Sequence, residues 1–243
     1  KAASAIGADG VELQVDHAFY EQVPQVVDSL GRYGLRAAAL RIGHTRLIHP
    51  EFSEREQALV KMRNALAAAV DLDAAGVVFY GHYSSTSVLP DLHPYKSSVE
   101  LEAELLVAEL RTTLCDLAYA LGARLLLAHA DSTRSTLLRR PEHVSLLRNK
   151  LDNHPYLFVA TSLSHLDAES IEVAHALTVP GLGYVAVSDT AGLLPGQGQR
   201  DWSRFGASIK ANRYGGWITI EGQAASTASE LGAGIEVIRR GLS

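Results

Sequence analysis

Seven short apolar runs, separated by longer stretches of helical period, constrain this chain more than anything else in its sequence. The runs cover residues 11–15, 35–42, 76–80, 124–128, 157–161, 183–187 and 217–220. Several are almost continuously hydrophobic, Val-Val-Phe-Tyr and Leu-Leu-Leu-Ala among them, which suits parallel strands covered on both faces. Between them, segments 54–70 and 99–121 repeat Ala and Leu at i, i+3 and i+4, with Glu100, Glu102, Glu104 and Glu109 expected on the solvent side. The strand ends are read as Glu12, His44, Tyr80, Ala128, Ser162, Ala186 and Glu221. They fall 24 to 48 residues apart, the spacing of successive βα units of about 30 or more residues. The longest interval holds a loop over 84–98 rich in Pro, Ser and His. No Pro/Ser/Gly linker or charge block divides the chain, so residues 1–243 read as one domain.

Seven units are one short of a (β/α)8 barrel. Residues 1–8 read as the tail of a helix entering the strand at Val11, which puts the first strand upstream of Lys1 or leaves it missing. An open doubly wound sheet is the competing architecture. Against it, neither Gly-x-Gly-x-x-Gly after the first strand nor a Walker sequence is present, and Gly181-Leu-Gly183 precedes a strand instead of opening a helix. With 22 Lys plus Arg against 27 Asp plus Glu, the net charge of −5 gives no global attraction to nucleic acid or an anionic membrane. The lone Cys115 cannot form an intrachain disulfide and lies in an apolar helical stripe. No apolar run approaches the ~20 residues of a membrane span, and no export signal is visible at the start. The expectation is a cytoplasmic protein whose partners are a small-molecule substrate and, at most, further copies of itself.

Three stretches then carry a resemblance: Gly181-Leu-Gly-Tyr-Val-Ala-Val-Ser-Asp-Thr-Ala-Gly192, Leu194-Pro-Gly-Gln-Gly-Gln-Arg-Asp-Trp202, and Tyr214-Gly-Gly-Trp-Ile-Thr-Ile-Glu221. Together they resemble the C-terminal third of the xylose isomerase-like TIM barrels. That superfamily holds sugar isomerases, ketose epimerases, dehydroshikimate and inosose dehydratases, and endonuclease IV-type AP endonucleases. Gly7-Ala-Asp-Gly-Val-Glu12 is similar to its second strand, Leu121-Gly-Ala-Arg-Leu-Leu-Leu127 to its fifth, and Ser162-Leu-Ser-His165 to its Asp-x-x-His. The implied fold is an α/β TIM barrel.

The same resemblance implies a divalent metal held by Glu, Asp, His and Glu at four successive strand ends. Carried over, those positions are Ala128, Ser162, Ala186 and Glu221, so only the last keeps its ligand. No cofactor is expected, because one carboxylate cannot hold a hard cation against water. A metal site rebuilt from histidines, starting with His129, His165 and Glu221, is the alternative. A one-residue slip would put His129 in place of Ala128, but strand alternation would point it away from the lumen unless a bulge intervenes.

What gathers at the expected mouth is ionisable. Glu221 and His165 are expected to be catalytic, as base and as acid or oxyanion donor. Glu12, His44, Tyr80, His82, His129 and Asp189 are expected to bind substrate, with Asp131 nearby. Plainer readings stand beside these. Glu221 could anchor a loop, His165 could cap or pack, His82 could be satisfied by backbone carbonyls, and Glu12 could pair with an Arg. Asp189 could be ordinary turn chemistry, and Arg41 and Arg46, which flank His44 and could bind an anionic or carbonyl group, could instead sit in solvated salt bridges. The expected activity is proton transfer on a carbonyl, polyol or polyketide-like substrate by an isomerase, epimerase, dehydratase or related lyase, working without the divalent metal. The alternative is a barrel that has lost catalysis and serves as a ligand-binding or partner subunit. AP endonuclease activity is set aside, since the chain shows neither a dense zinc set nor a basic groove.

Overall fold

Apolar strands that cannot face water on either side must be roofed by helices, and the chain alternates the two throughout. A computed structural model describes residues 1–16, 18–43, 45–222 and 226–243. The strands are β1 (Gly10–Val15), β2 (Arg36–Ile42), β3 (Val77–Tyr80), β4 (Leu125–Ala128), β5 (Leu157–Ser162), β6 (Leu182–Val187) and β7 (Trp217–Ile220). All are parallel and pair in chain order from β1 to β7. After a short first helix, α1 (Ala2–Ala5), the helices between and after the strands are α2 (Val23–Arg32), α3 (Phe52–Asp71), α4 (Ser98–Glu109), α5 (Cys115–Leu121), α6 (Pro141–Lys150), α7 (Leu163–Ala168), α8 (Val173–Ala176), α9 (Trp202–Ala211) and α10 (Ala228–Leu242). The result is a nearly closed α/β barrel. No helix is long and apolar enough to cross a membrane among the described residues.

Local chemistry fixes the helix ends. Ser97 and Glu100 form a reciprocal capping box at α4, as Thr227 and Glu230 do at α10. Gly122, at φ 70°, takes the left-handed conformation that ends α5. The segment expected as one helix over 99–121 contains a wide turn, Leu110–Leu114, between α4 and α5. Such a turn inserts an extra residue and rotates the faces on either side of it.

One expected solvent residue is inside. Glu102 is wholly buried; it accepts the N–H groups of Val88 (2.5 Å) and Leu89 (3.4 Å) and the Thr136 hydroxyl (3.3 Å). The long loop before α4 packs over the helix, and its buried backbone donors need an acceptor. Glu102 supplies it, so the helical period of the sequence misplaces this residue.

Most of the core lies between strands and helices, with Leu40, Met62, Leu66, Phe79, Leu110, Leu125 and Leu127 fully buried. The lumen is filled separately by Ala39, Val78, Leu126, Ala128, Ala160 and Tyr184. The strands at the two ends of the order, β1 and β7, are the neighbours expected of a missing strand, and no strand stands between them among the described residues. A cavity of about 730 Å³ lies there, lined by Gly10, Arg36, Trp217 and Ile235 among others. The Trp217 ring crosses it beneath the Arg36 guanidinium, 4.7 Å from the ring centre. A Cβ on Gly10 would come within 2.7 Å of that ring, so only glycine fits there.

Candidate active site

Strand alternation decides which side chains rise into the open C-terminal end of the barrel. In β2, Ala39 lines the lumen and Arg41, two residues on, stands above it. In β3 the pair is Val78 and Tyr80, in β5 Ala160 and Ser162, and in β6 Tyr184 and Ala186. A register shift between Val11 and Glu12 turns Glu12 into the same group, and Glu221 follows β7.

Arg41 ties these residues together. Its Nε and Nη2 donate to the two carboxylate oxygens of Glu12 at 2.5 and 3.0 Å, Nη2 also to Glu221 Oε1 at 3.1 Å, and Nη1 to the Tyr80 hydroxyl at 3.3 Å. The other Glu221 oxygen accepts from Ser162 Oγ at 2.6 Å, and Tyr184 Oη donates to Glu12 Oε2 at 2.6 Å. Burial works against the charge on Arg41, but the hydrogen bond and charge of Glu12, joined by the charge of Glu221, outweigh it and hold the guanidinium above its ordinary range. Burial raises the Tyr80 phenol to about 12 despite the opposing pull of Arg41. Tyr80 is therefore a neutral hydrogen-bond donor at any working pH.

A second line runs back from Tyr80. Its hydroxyl lies 3.4 Å from His165 Nε2, and His165 Nδ1 lies 2.7 Å from Asp131 Oδ2. The Asp131 amide also points at that Nδ1, at 3.4 Å. The shorter, charge-assisted contact fixes the tautomer: Nδ1 carries the proton toward Asp131, and Nε2 faces Tyr80 as an acceptor. Burial alone would raise the Asp131 carboxyl, but hydrogen bonds from Thr133 and His165 and the His165 charge hold it below its usual range.

The structure thus brings Glu12, Tyr80, Glu221 and, through Tyr80, His165 into one network at the mouth. Other expected residues go elsewhere. His129 is 1% exposed, with Nε2 2.9 Å from Thr161 Oγ1, a residue on the helix-facing side of β5; burial and then the neighbouring His165 push it down to about 3. His82 is buried beneath the 84–98 loop, its pKa lowered by burial against the opposing charge of Glu102. Asp189 is wholly buried and accepts from the amides of Thr190, Gly196 and Arg200 at 2.8 to 2.9 Å and from the Trp202 indole at 3.1 Å. Its carboxylate organises the loop after β6. His44 lies outside the described residues.

Two members of the network carried little sequence signal. Tyr184 could have been found by parity, since a lumen-facing Ala186 requires residue 184 to face the lumen too. Arg41 flanks His44 in the sequence and admits both a carbonyl-binding and a solvated-pair reading, between which no local pattern decides.

This donor set does not fit the family's divalent cation. Ala128 and Ala186 offer no ligand atom, Ser162 is spent on Glu221, and both carboxylates already hold the Arg41 guanidinium. Among the described residues no three His, Cys, Asp or Glu side chains converge on one point. What the arrangement can do is hold two carboxylates and one phenol, backed by an imidazole, around a shared cation.

A family model described as xylose isomerase-like TIM barrel matches residues 1–241. Among solved structures, an L-ribulose 3-epimerase superposes with a TM-score of 0.85 at 16% identity, covering 99% of this chain and 86% of its own. The 3-keto-D-glucoside 4-epimerase YcjR from E. coli gives 0.83 at 18% identity, with 97% and 90% covered. A D-allulose 3-epimerase from Methylomonas sp. gives 0.82 at 19%, with 99% and 90% covered. No curated protein matches the chain.

Proposed function

The chain belongs to the xylose isomerase-like TIM barrel family, and from that premise we propose that it is an isomerase or epimerase moving protons on a keto-sugar or related carbonyl compound, without the family's divalent metal. One observation carries the reading. A carboxylate, Glu221, and a phenol, Tyr80, are held by the same guanidinium at the open end of the barrel. Glu221 takes the proton from the carbon beside the substrate carbonyl, and the electron pair moves onto the carbonyl oxygen. Tyr80 donates a hydrogen bond to that oxygen. His165 supplies the acid side: protonated at both nitrogens, it turns its Nε2–H toward the Tyr80 oxygen and frees the Tyr80 hydroxyl proton for the substrate. Return of a proton to carbon completes isomerisation or epimerisation with nothing else consumed. A dehydratase would share the first step and then expel a β-hydroxyl as water.

The sugar epimerases of like fold support a ketose or keto-glycoside as first substrate class. The test is proton exchange in D₂O. Ketopentoses, ketohexoses and a 3-keto-glucoside are incubated with the protein in the presence of EDTA, and loss of the C–H resonance beside the carbonyl is followed by NMR. Exchange in at least one compound, with epimer or dehydrated product, is expected. Binding without exchange would instead make the chain a ligand-binding barrel.

A further inference from the structure

We propose that the Arg41 guanidinium is the resident cation of this site: it takes the electrostatic place of a divalent metal and binds the substrate's carbonyl oxygen through Nη1, which makes Arg41 a catalytic residue. The inference rests on the proton-transfer reading and names the group that would stabilise the developing oxyanion. A charge buried to this degree needs a reason. Arg41 is the penultimate residue of the largely apolar β2, its side chain 15% exposed, and three polar residues from three other strands or strand ends, Glu12, Tyr80 and Glu221, converge on it.

The donors of the fork are unequally used. Nε and Nη2 are saturated by the two carboxylates, whereas Nη1 has a single contact, the long one to Tyr80, among the described residues. One Nη1–H is left over among the described residues, on the nitrogen that contacts the Tyr80 hydroxyl. An oxygen accepting from both would be held as an oxyanion is held, by fixed donors that need no reorganisation when charge develops. Glu12 is the positioning residue behind this. It grips Arg41 in the two-point geometry that guanidinium and carboxylate favour, and Tyr184 holds Glu12 from inside the barrel.

The charge count points the same way. One guanidinium lies between two carboxylates, so a divalent cation could bind only by evicting an arginine that is covalently tethered, always charged and bonded to both. The two cations are alternatives, and this sequence supplies the tethered one while Ala128 and Ala186 stand where metal ligands would be needed.

The experiment compares wild type, Arg41→Ala and Arg41→Lys. Because Arg41→Ala strands two carboxylates and could unfold the barrel, a double variant, Arg41→Met with Glu12→Gln, removes one charge of each sign. Folding is checked by circular dichroism. Mn²⁺ is titrated with detection of the free ion by electron paramagnetic resonance, and C–H exchange is measured in EDTA, with Mn²⁺, and with millimolar guanidinium. Wild type should leave Mn²⁺ free and exchange at the same rate in EDTA. Losing the donor should slow exchange by about 10²- to 10³-fold. Free guanidinium should restore part of that in Arg41→Ala, and Arg41→Lys, which keeps charge without the fork, should remain impaired. Stoichiometric Mn²⁺ on wild type that Glu221→Gln abolishes, or wild-type exchange in Arg41→Ala, would overturn the proposal. If wild type exchanges no compound at all, the proton-transfer reading falls and the Mn²⁺ titration judges the cation assignment alone. Metal bound only after Arg41 is removed upholds it; metal bound by wild type refutes it.

Discussion

Replacing His129 with Gln should remove much of this protein's sensitivity to mild acid, and the size of the effect follows from where the ring sits. His129 is 1% exposed, keeps one hydrogen bond, to Thr161, and has its ring centre 5.8 Å from that of His165. Burial first, and the His165 charge second, depress it to about 3, against about 6.5 in an unfolded chain. Above pH ~6.5 the ring is neutral in both states and contributes nothing to pH dependence. As the pH falls below that, the unfolded chain takes up a proton that the folded state refuses, so stability drops by about 1.4 kcal/mol per pH unit until the folded ring titrates near 3. From about pH 7 to about pH 5 the loss is about 2 kcal/mol, a large part of the 5–15 kcal/mol typical of a domain. Gln can keep the bond to Thr161 but cannot take up the proton. Urea unfolding of both proteins across that range gives the answer. His82 and His143, also depressed by burial, act in both proteins and cancel in the difference. The variant carries a fixed packing cost, so the wild-type and variant stabilities should converge as the pH falls, by about 2 kcal/mol between those limits. Parallel pH profiles would show that His129 titrates normally and that its burial has been misread.

The strands were legible because burial on both faces writes an uninterrupted apolar run. Residues 217–220 are β7 as observed, and 183–187 differ from β6 by one residue at the start. The strand ends then gave much of the mouth, since Tyr80, Ser162 and Glu221 follow from parity, while Glu12 joins them through the register shift after Val11. What sequence could not give is pairing across the barrel. Arg41 and Glu221 are 180 residues apart and Glu12 and Tyr184 are 172 apart, and no local pattern encodes such contacts. The same blindness explains Glu102, whose partners come from a loop that helical periodicity does not see, and Asp189, whose motif position says nothing of the four donors that surround it. A residue that looks functional by position can be consumed by the loop it builds, while one whose plainer reading is a surface ion pair can hold the site together.

Three further outcomes test the site. Glu221→Gln preserves shape while removing the basicity, and His165→Asn removes the acid; each should lower turnover in the D₂O assay by about two orders of magnitude or more with little change in thermal midpoint, and near wild-type rates in both would refute the assignment. Asp131→Asn removes the carboxylate that pairs with His165 Nδ1 at 2.7 Å, and with it the counter-charge for the doubly protonated ring that the acid step uses; kcat should fall by about 10²-fold with KM little changed, whereas a fall confined to KM would make Asp131 a substrate contact. Asp189→Asn separates two jobs for one residue. Burial would raise this carboxyl, but the backbone donors of Arg200, Thr190 and Gly196 and the Trp202 indole hold it below its usual range, so its contribution to stability is complete above pH ~4 and fades as the pH falls through the folded value. Asn presents one acceptor oxygen and an N–H₂ group to donors that all need acceptors, at a cost of about 2–4 kcal/mol from lost charged hydrogen bonds. In a chain of this size that lowers Tm by roughly 4–16 °C, and the difference from wild type should vanish in acid as Asp189 itself becomes protonated. If calorimetry finds Tm unchanged while substrate affinity collapses, the carboxylate serves the ligand after all and the loop stands without it.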